Sequence, residues 1–520
     1  MEFDLQLAIF PMIKQRPKYL WLIPLTFFGV LFYYPLLRII GHGFTGPWLR
    51  FITSQTTLKI IWFTVWQAAI SAFLAIVLGL PGAYVLYRCS FPGQRLIRAL
   101  ITVPFMLPTI VVAIGFTEFH RMPVTGTIIL ANVFMNYSLA VRVIGGTWAN
   151  LNRDVDEAAA IDGAGRLFSF VKISWPQLKG SSASAFSLIY LYCAANFGIV
   201  LVLGNGSTNT IETEIYTNAT QYLDLSKATS LVLVQTLLTV VVFIISRRLS
   251  KRPISIVGFA NSKDQKPIDR RDFPALLITL IVLILISIPI IGIISKSFNG
   301  GLTHYRALTT TGPQNFLTIS IVQALENTFR NAAMVMIISL TIGLIISFLL
   351  YRSSPLLNRF GEFVFQIPLG VSSVVLGLGY LLCFSSGIFP LRSSWLITPV
   401  AQSLLAIPLV VRVIYPALPT VDPELVEAAA LDSASSGDTW WLIELPAIRN
   451  LLLISMGYAA IISIGDFGAA NFLAYGQQGT VTTALYQLIS KPGAANYGMA
   501  LATSSILIFI TFALVCAISY

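Results

Sequence analysis

Runs of about twenty predominantly apolar residues recur from one end of this chain to the other, each long enough to cross about 30 Å of hydrocarbon as a helix. Inside a bilayer the backbone has no water to bond, so a spanning segment must satisfy its own N–H and C=O groups, and a run of this length does so as an α-helix. Six runs fall in the first half, at 19–41, 58–87, 98–118, 127–148, 181–203 and 228–246, and six in the second, at 274–295, 327–350, 363–384, 396–415, 451–474 and 497–518. Of 520 residues 56% are hydrophobic and 11% charged, with a mean hydropathy of +0.79, which excludes an ordinary soluble domain. The expected fold is all-α and polytopic, with about 12 transmembrane helices. Pro104, Pro108 and Pro368 predict kinks in their segments. The first run exceeds a signal-peptide core and has no small-residue cleavage site after it, so it is expected to be a retained helix.

The net charge of +11 is a topology signal. With the N-terminus inside, Lys14, Arg16, Lys18, Arg88, Arg95 and Arg98 fall on the cytoplasmic side, as does the basic stretch 247–272 with Arg247, Arg248, Lys251, Arg252, Lys263, Lys266, Arg270 and Arg271. That is the positive-inside bias. No basic stripe interleaves with exposed aromatics, so no nucleic-acid partner is expected. Cys89, Cys193, Cys383 and Cys516 are scattered, with neither metal nor disulfide-framework spacing.

The chain also repeats. Glu157-Ala158-Ala159-Ala160 returns as Glu427-Ala428-Ala429-Ala430, 270 residues later, and Ile173 and Pro176 return as Ile443 and Pro446. The same offset relates Arg142-Val143-Ile144 to Arg412-Val413-Ile414, Asn196-Phe197-Gly198 to Asp466-Phe467-Gly468, and Tyr216 to Tyr486; upstream the offset is 264, relating Tyr87-Arg88 to Tyr351-Arg352 and Gly115 to Gly379. Two six-helix repeats follow, 1–246 and 273–520, joined by a basic cytoplasmic linker at 247–272. Six is even, so the repeats share one orientation about an axis along the membrane normal, and both Glu-Ala-Ala loops (about 149–180 and 416–450) are placed in the cytoplasm. Charge alone would not put the acidic second loop there; the repeat does.

Local chemistry predicts a helix–turn–helix in each loop. Asp422-Pro423-Glu424 reads as an N-cap, a proline at the first helical position and an acid in the first turn. The first copy has Asn152 at the aligned cap, then Asp154, Asp156 and Glu157. Its helix is expected to end near Asp162, where Gly163 turns left-handed, and a second short helix through Phe168, Val171 and Ile173 is expected to stop before Pro176. Three alanines make a closely approachable face, and the glutamate offers an anchor for a partner arginine. A single such helix would read as one resting on headgroups; a matched pair reads as a docking surface.

The spacing Glu-Ala-Ala, Gly at six residues, Ile at sixteen and Pro at nineteen resembles the cytoplasmic loop of binding-protein-dependent ABC importer permeases of the type I fold. The resemblance covers nearly the whole chain in both halves. It implies that Glu157, Ala158, Ala159, Gly163, Ile173 and Pro176, with Glu427, Ala428, Ala429, Ser433, Ile443 and Pro446, form two coupling segments that insert into ATPase subunits. The second copy departs from the pattern at Ser433, which tolerates the left-handed conformation poorly, so a differently shaped turn or weaker docking is expected there. The fused halves, and Thr210-Ile211-Glu212-Thr213-Glu214-Ile215-Tyr216 after Val202-Leu203-Gly204, resemble the thiamine and ferric-iron importer branch. Its counterpart in the second half is Thr480–Tyr486, and in the first half the local match is closer to thiamine-importer permeases. The resemblance implies two copies of a cytoplasmic ABC ATPase using ATP and Mg, an extracytoplasmic solute-binding protein, and a site in the bacterial cytoplasmic membrane. No cofactor is expected on this chain.

Ionisable and strongly polar groups inside spans are costly and mark function or helix contact. Asp466, its repeat mate Asn196, and Asn132 and Asn136 one turn apart are the candidates for a translocation path; hydrogen bonding across a helix contact is the competing role. Glu118 is read as solvated near an outer end, and Arg142 and Arg412 as orientation signals or anchors behind the loops. His42, His120 and His304 are isolated, and no Gly-x4-Gly-Lys-Ser/Thr segment occurs. The chain is therefore read as a permease and not an enzyme, with ATP hydrolysis on another polypeptide. The competing class is an ion-coupled secondary transporter of twelve helices, against which the paired loops and the single candidate carboxylate argue.

Overall fold

The structure is a computed structural model describing residues 18–45, 48–119, 121–152, 155, 158–159, 161–249, 265–269, 272–384 and 394–519. The first repeat runs α1 (Tyr19–Phe44), α2 (Gln55–Arg88), α3 (Gln94–Met106), α4 (Thr109–Phe116) and α5 (Val124–Ala149). After the loop come α6 (Arg166–Ser169), α7 (Trp175–Ala194), α8 (Gly198–Gly204), α9 (Ile211–Thr220) and α10 (Leu225–Leu249). The second repeat follows as α11 (Phe273–Ser297), α12 (Ile321–Tyr351), α13 (Pro355–Gln366), α14 (Ser373–Phe384) and α15 (Ile397–Ile414). Its loop and remainder are α16 (Pro423–Leu431), α17 (Ser436–Thr439), α18 (Leu445–Ala447), α19 (Arg449–Gly465), α20 (Gly468–Leu473), α21 (Val481–Ser490) and α22 (Ala494–Ser519).

Among the described residues eight candidate spans are continuous: α1, α2, α5, α10, α11, α12, α15 and α22. The other four expected spans are bent pairs, which bring the number of candidate crossings to 12. The pairs at 94–119 and 355–384 each turn by 95°, far beyond a proline kink. At the first break Leu107 and Pro108 both take extended backbone, with ψ of 143° and 134°. A residue preceding proline is pushed out of the helical region, so the chain turns a corner at Leu107 while Pro104 stays inside α3. In the second pair the corner comes at Val371, ψ 131°, after a 3-10 turn containing Pro368.

Small residues bring the long helices together. Gly79 of α2 lies against Ala140 of α5, where an added Cβ would come within 2.8 Å, and the repeat mates Gly343 and Val410 make the same approach, at 2.6 Å. Further along the α2–α5 contact, Gly145 lies beneath the Tyr87 ring and Gly82 beneath Tyr137. Lipid is as apolar as leucine and gives helices no reason to leave it, so close backbone approach at Gly and Ala supplies the packing energy here.

Two compact units result, and they do not follow the repeat boundary. One gathers Glu326–Gln478 with the N-terminal segment ending at Arg38; the other gathers Ile39–Leu325 with Gly479–Tyr520. In the first unit, the Phe28 ring meets Phe365 edge-on at 5.1 Å, Tyr33 donates its hydroxyl to the Val364 carbonyl at 2.8 Å, and Trp21 covers Gly361. In the second, Pro289 and Ile293 of α11 close on Gly115 of α4, and Lys296 pairs with Glu118 at 2.6 Å. The opening helix of each repeat thus packs with residues numbered in the other.

The second unit also holds the end of the linker. Lys266-Pro267 pairs in parallel with Cys89-Ser90 as a two-residue ladder. Asp272, 2% exposed, accepts from Tyr84 at 2.8 Å, from Lys266 at 3.1 Å and from the Asp269 N–H at 3.0 Å. Burial alone would raise its carboxyl pKa, but these donors outweigh burial and leave it below the usual carboxylate range. Such a group contributes stability that is present above the ordinary carboxylate pKa of about 4 and is lost as pH falls through its lower folded value. Asp272→Asn should therefore speed hydrogen exchange at Lys266 already at neutral pH, whereas the wild type should show that exchange on acidification alone. Gly145→Val should lower the melting temperature of the purified protein, through overpacking of about 1–3 kcal/mol against Tyr87. Gly126→Val, on the same helix with nothing within 4 Å of its added Cβ, should leave the melting temperature unchanged.

Candidate coupling surface and buried polar cores

The two Glu-Ala-Ala loops close with the same turn. In the first, Asp162 N–H donates to the Ala158 carbonyl at 3.0 Å and Ala164 N–H to Ala159 at 2.9 Å; in the second, Asp432 donates to Ala428 at 3.1 Å and Ala434 to Ala429 at 3.0 Å. This is a Schellman-type helix end, whose penultimate residue must be left-handed. Gly163 sits there with φ +78°, and Ser433 sits there with φ +58°. The expected difference in shape at Ser433 is therefore absent: serine accepts the conformation because the two hydrogen bonds outweigh a left-handed cost of roughly 1–2 kcal/mol. Glu157 lies outside the described residues, as do Asp154, Asp156 and Ala160. Glu427 is exposed, Ala428 and Ala158 are exposed, and Ala429 and Ala159 are half-buried, as a surface offered to a partner requires. Asp422 caps α16, accepting from the Glu424 N–H at 3.0 Å.

Both loops then share a feature that the residue pattern does not announce. Phe170–Ser174 and Trp440–Glu444 are single π turns, in which the Trp175 N–H reaches back to the Phe170 carbonyl and the Leu445 N–H to the Trp440 carbonyl. Widening the helix there removes the need for an N–H at Pro176 and Pro446. The first helix consequently runs through Pro176 into α7 and does not stop before it, while the second continues as α18 and bends by 72° at Ile448 into α19. Ile173 and Ile443 lie half-buried inside these turns. A further device belongs to the second loop: Ser435 and Asp438 cap α17 reciprocally, with Asp438 N–H to Ser435 at 3.2 Å and the Ser435 hydroxyl to Asp438 at 2.6 Å. The Ser-x-x-Asp spacing was the legible signal for it.

The polar residues inside the spans gather into two matching cores, one in each unit. Asn196 and Asp466 are not in mid-helix, as expected, but at the breaks before α8 and α20. They cap those helices: Ile199 N–H donates to Asn196 at 3.2 Å, and Ala469 and Ala470 donate to Asp466 at 3.4 and 3.1 Å. Each break is held from a neighbouring span. Asn196 donates to Asn132 of α5 at 2.8 Å, and Gln402 of α15 donates to Asp466 at 3.1 Å. Gln402 is the residue that the 270-residue offset pairs with Asn132, a correspondence readable in the sequence but not among the candidates named there. Asn132 continues to Gln67 of α2 at 3.1 Å, Gln67 donates to the Cys193 carbonyl at 3.1 Å, and in the other core Ser463 donates to Gln402 at 2.7 Å. Asn136 turns to the Asn132 carbonyl at 2.9 Å and the Cys193 sulfur at 3.5 Å. All four candidates are buried, from 0% exposed at Asn132 to 8% at Asp466. Glu118, about two-fifths exposed, is paired with Lys296 and Tyr497.

Comparison with known proteins agrees with this doubled geometry. A profile described as the binding-protein-dependent transport system inner membrane component matches residues 75–255 and again 339–520, each stretch carrying one Glu-Ala-Ala loop and one capped helix break, at Asn196 and at Asp466. The chain belongs to that family. It is the fused permease of a type I ABC importer, a multi-pass inner-membrane protein whose ATPase is a separate subunit and whose partners include a solute-binding protein. The chain is 26% identical to the thiamine transport system permease protein of Escherichia coli (strain K12) over 476 residues, covering 85% of this chain and 86% of that one. It is 26% identical to the thiamine permease of Brucella abortus (strain 2308) over 456 residues, 83% and 81% of the two chains. The ferric transport system permease protein of Actinobacillus pleuropneumoniae is 22% identical over 512 residues, 92% of this chain and 72% of the relative.

The caps lead to a graded expectation. Asp466→Asn keeps an acceptor for the Ala469 and Ala470 N–H groups and should change the melting temperature little. Asp466→Ala strands both donors and should destabilise the permease by about 1–3 kcal/mol per unsatisfied group. Differential scanning fluorimetry of the purified variants distinguishes the two.

Proposed function

We propose that this permease carries thiamine into the cytoplasm, with ferric iron the second candidate cargo, and that its two Glu-Ala-Ala loops each dock one copy of an ATP- and Mg-using ATPase. The observation that carries the docking reading is the doubled loop: two exposed Ala faces, each ended by the same left-handed turn and followed by the same π turn before proline. Thiamine is favoured because the two thiamine permeases above are 26% identical to this chain and the ferric permease 22%. In this reading Glu157, Ala158, Ala159, Gly163, Ile173 and Pro176, with their mates Glu427, Ala428, Ala429, Ser433, Ile443 and Pro446, form the sockets. The N-terminus and both loops face the cytoplasm, supported by the positive-inside distribution of basic residues. The solute-binding protein delivers cargo to the opposite face, and ATP-driven closure of the ATPase pair pushes on both loops.

Asn132, Asn136, Asn196 and Asp466 enter this scheme as residues beside the path. Their hydrogen bonds fix the helix breaks from which a path is lined, and a cationic solute reaching Asp466 would have to compete with Gln402 and two backbone N–H groups. An ion-coupled mechanism has no use for two exposed, matched loops.

Replacing Glu157 and Glu427 together by arginine should release the ATPase during purification and abolish ATP-driven uptake in vesicles. Uptake that follows an ion gradient with no ATPase present would overturn the reading. Radiolabelled thiamine should accumulate in wild-type vesicles supplied with ATP and the binding protein, and iron-55 should not.

A further inference from the structure

Each repeat carries a buried arginine where its long helix meets its loop. Arg88 is the last residue of α2 and Arg352 directly follows α12, and the 264-residue offset makes them mates. Both hold a loop, but at opposite ends. Arg88 donates from Nη1 to the carbonyl of Leu151, at 2.7 Å, where the first loop begins. Arg352 donates from Nη2 to both carboxylate oxygens of Glu444, each at 3.2 Å, inside the π turn where the second loop leaves. The mate of Glu444 in the first loop is Ser174, which has no charge to offer.

The second tie is the stiffer kind. Side chains of Arg352 and Glu444 are 12% and 5% exposed, and both partners are ionised, whereas the Arg88 guanidinium meets a neutral carbonyl. Arg352 Nε and Nη1 find no acceptor among the described residues, so the carboxylate is the group that keeps the buried guanidinium in place beside the Phe348 ring, 4.8 Å away. Removing either partner leaves an uncompensated buried charge. Glu444 also sits just before Pro446 and the 72° bend into α19, the helix whose far end is the Asp466 cap.

We infer that Arg352 and Glu444 are positioning residues that make the exit of the second loop its mechanical attachment, whereas the first loop is attached at its entry, so that the two ATPase contacts drive the permease through different helices. The inference rests on the reading of the loops as ATPase sockets. It assigns α19 as the driven helix of the second repeat and α5, which ends two residues before Leu151, as that of the first.

The test uses the whole complex, permease with ATPase subunits, reconstituted in proteoliposomes with its binding protein as purified, carrying its own ligand. ATP hydrolysis is measured with and without the binding protein for Glu444→Gln, Arg352→Met and the exchanged pair Arg352→Glu with Glu444→Arg. The single variants should still co-purify with the ATPase and keep basal hydrolysis, while stimulation by the binding protein falls roughly 2- to 30-fold. The exchanged pair should recover most of that stimulation, which a general loss of packing would not allow. Full stimulation in both single variants, or no recovery in the exchange, overturns the inference. If replacing Glu157 and Glu427 together by arginine leaves the ATPase bound, it is the socket reading that fails.

Discussion

Where a membrane-spanning helix stops, four N–H and four C=O groups lose their partners, and in hydrocarbon no water replaces them. This chain interrupts its spans in several places, and much of its polar machinery follows from that constraint. Asn196 and Asp466 supply acceptors to the helices that restart after them, and Asn132 and Gln402 hold those caps from a neighbouring span. Gly198 and Gly468 then admit Thr109 and Ser373 to the backbone at the same corner. Such a joint is dear to build once, and it occurs twice with the same architecture and different atoms.

The loops show the same economy of means. A π turn lets a proline enter each loop's second helix, which runs on from the turn into α7 or α18. Duplication kept this turn while the details drifted. Ser433 replaces glycine yet holds the left-handed turn, a Ser435–Asp438 cap supports the second loop, and Glu444 stands where the first repeat has Ser174. A permease fused into one chain is free to let its two loops diverge, since each copy keeps its own place in the chain.

A large share of this molecule was legible before its structure. The twelve apolar runs correspond, among the described residues, to eight unbroken helices and four bent pairs. What was not legible follows from how sequence signals arise. Proline marks a disturbance, but a kink, a 95° corner at Leu107-Pro108 and a π turn before Pro176 are three responses to it, and hydrogen bonds from elsewhere choose among them. Asp466 and Asn196 read as mid-span polar residues because hydropathy has no term for a helix that ends and restarts within twenty residues.

The sequence by itself determined the class of the protein: that its apolar segments are helices, and that the chain is doubled. These depend on composition and periodicity, which are local along the chain. Tertiary structure alone decided which helices share a unit, since α1 packs through Phe28 and Tyr33 on residues near 365, and α11 packs through Pro289 and Ile293 on Gly115. It also decided that Arg88 and Arg352, mates in sequence, hold opposite ends of their loops. Apolar helices in a bilayer carry no hydropathic preference for one neighbour over another. The choice of partner rests on close approach at small residues and on a few buried hydrogen bonds, which exist only once the chain has folded.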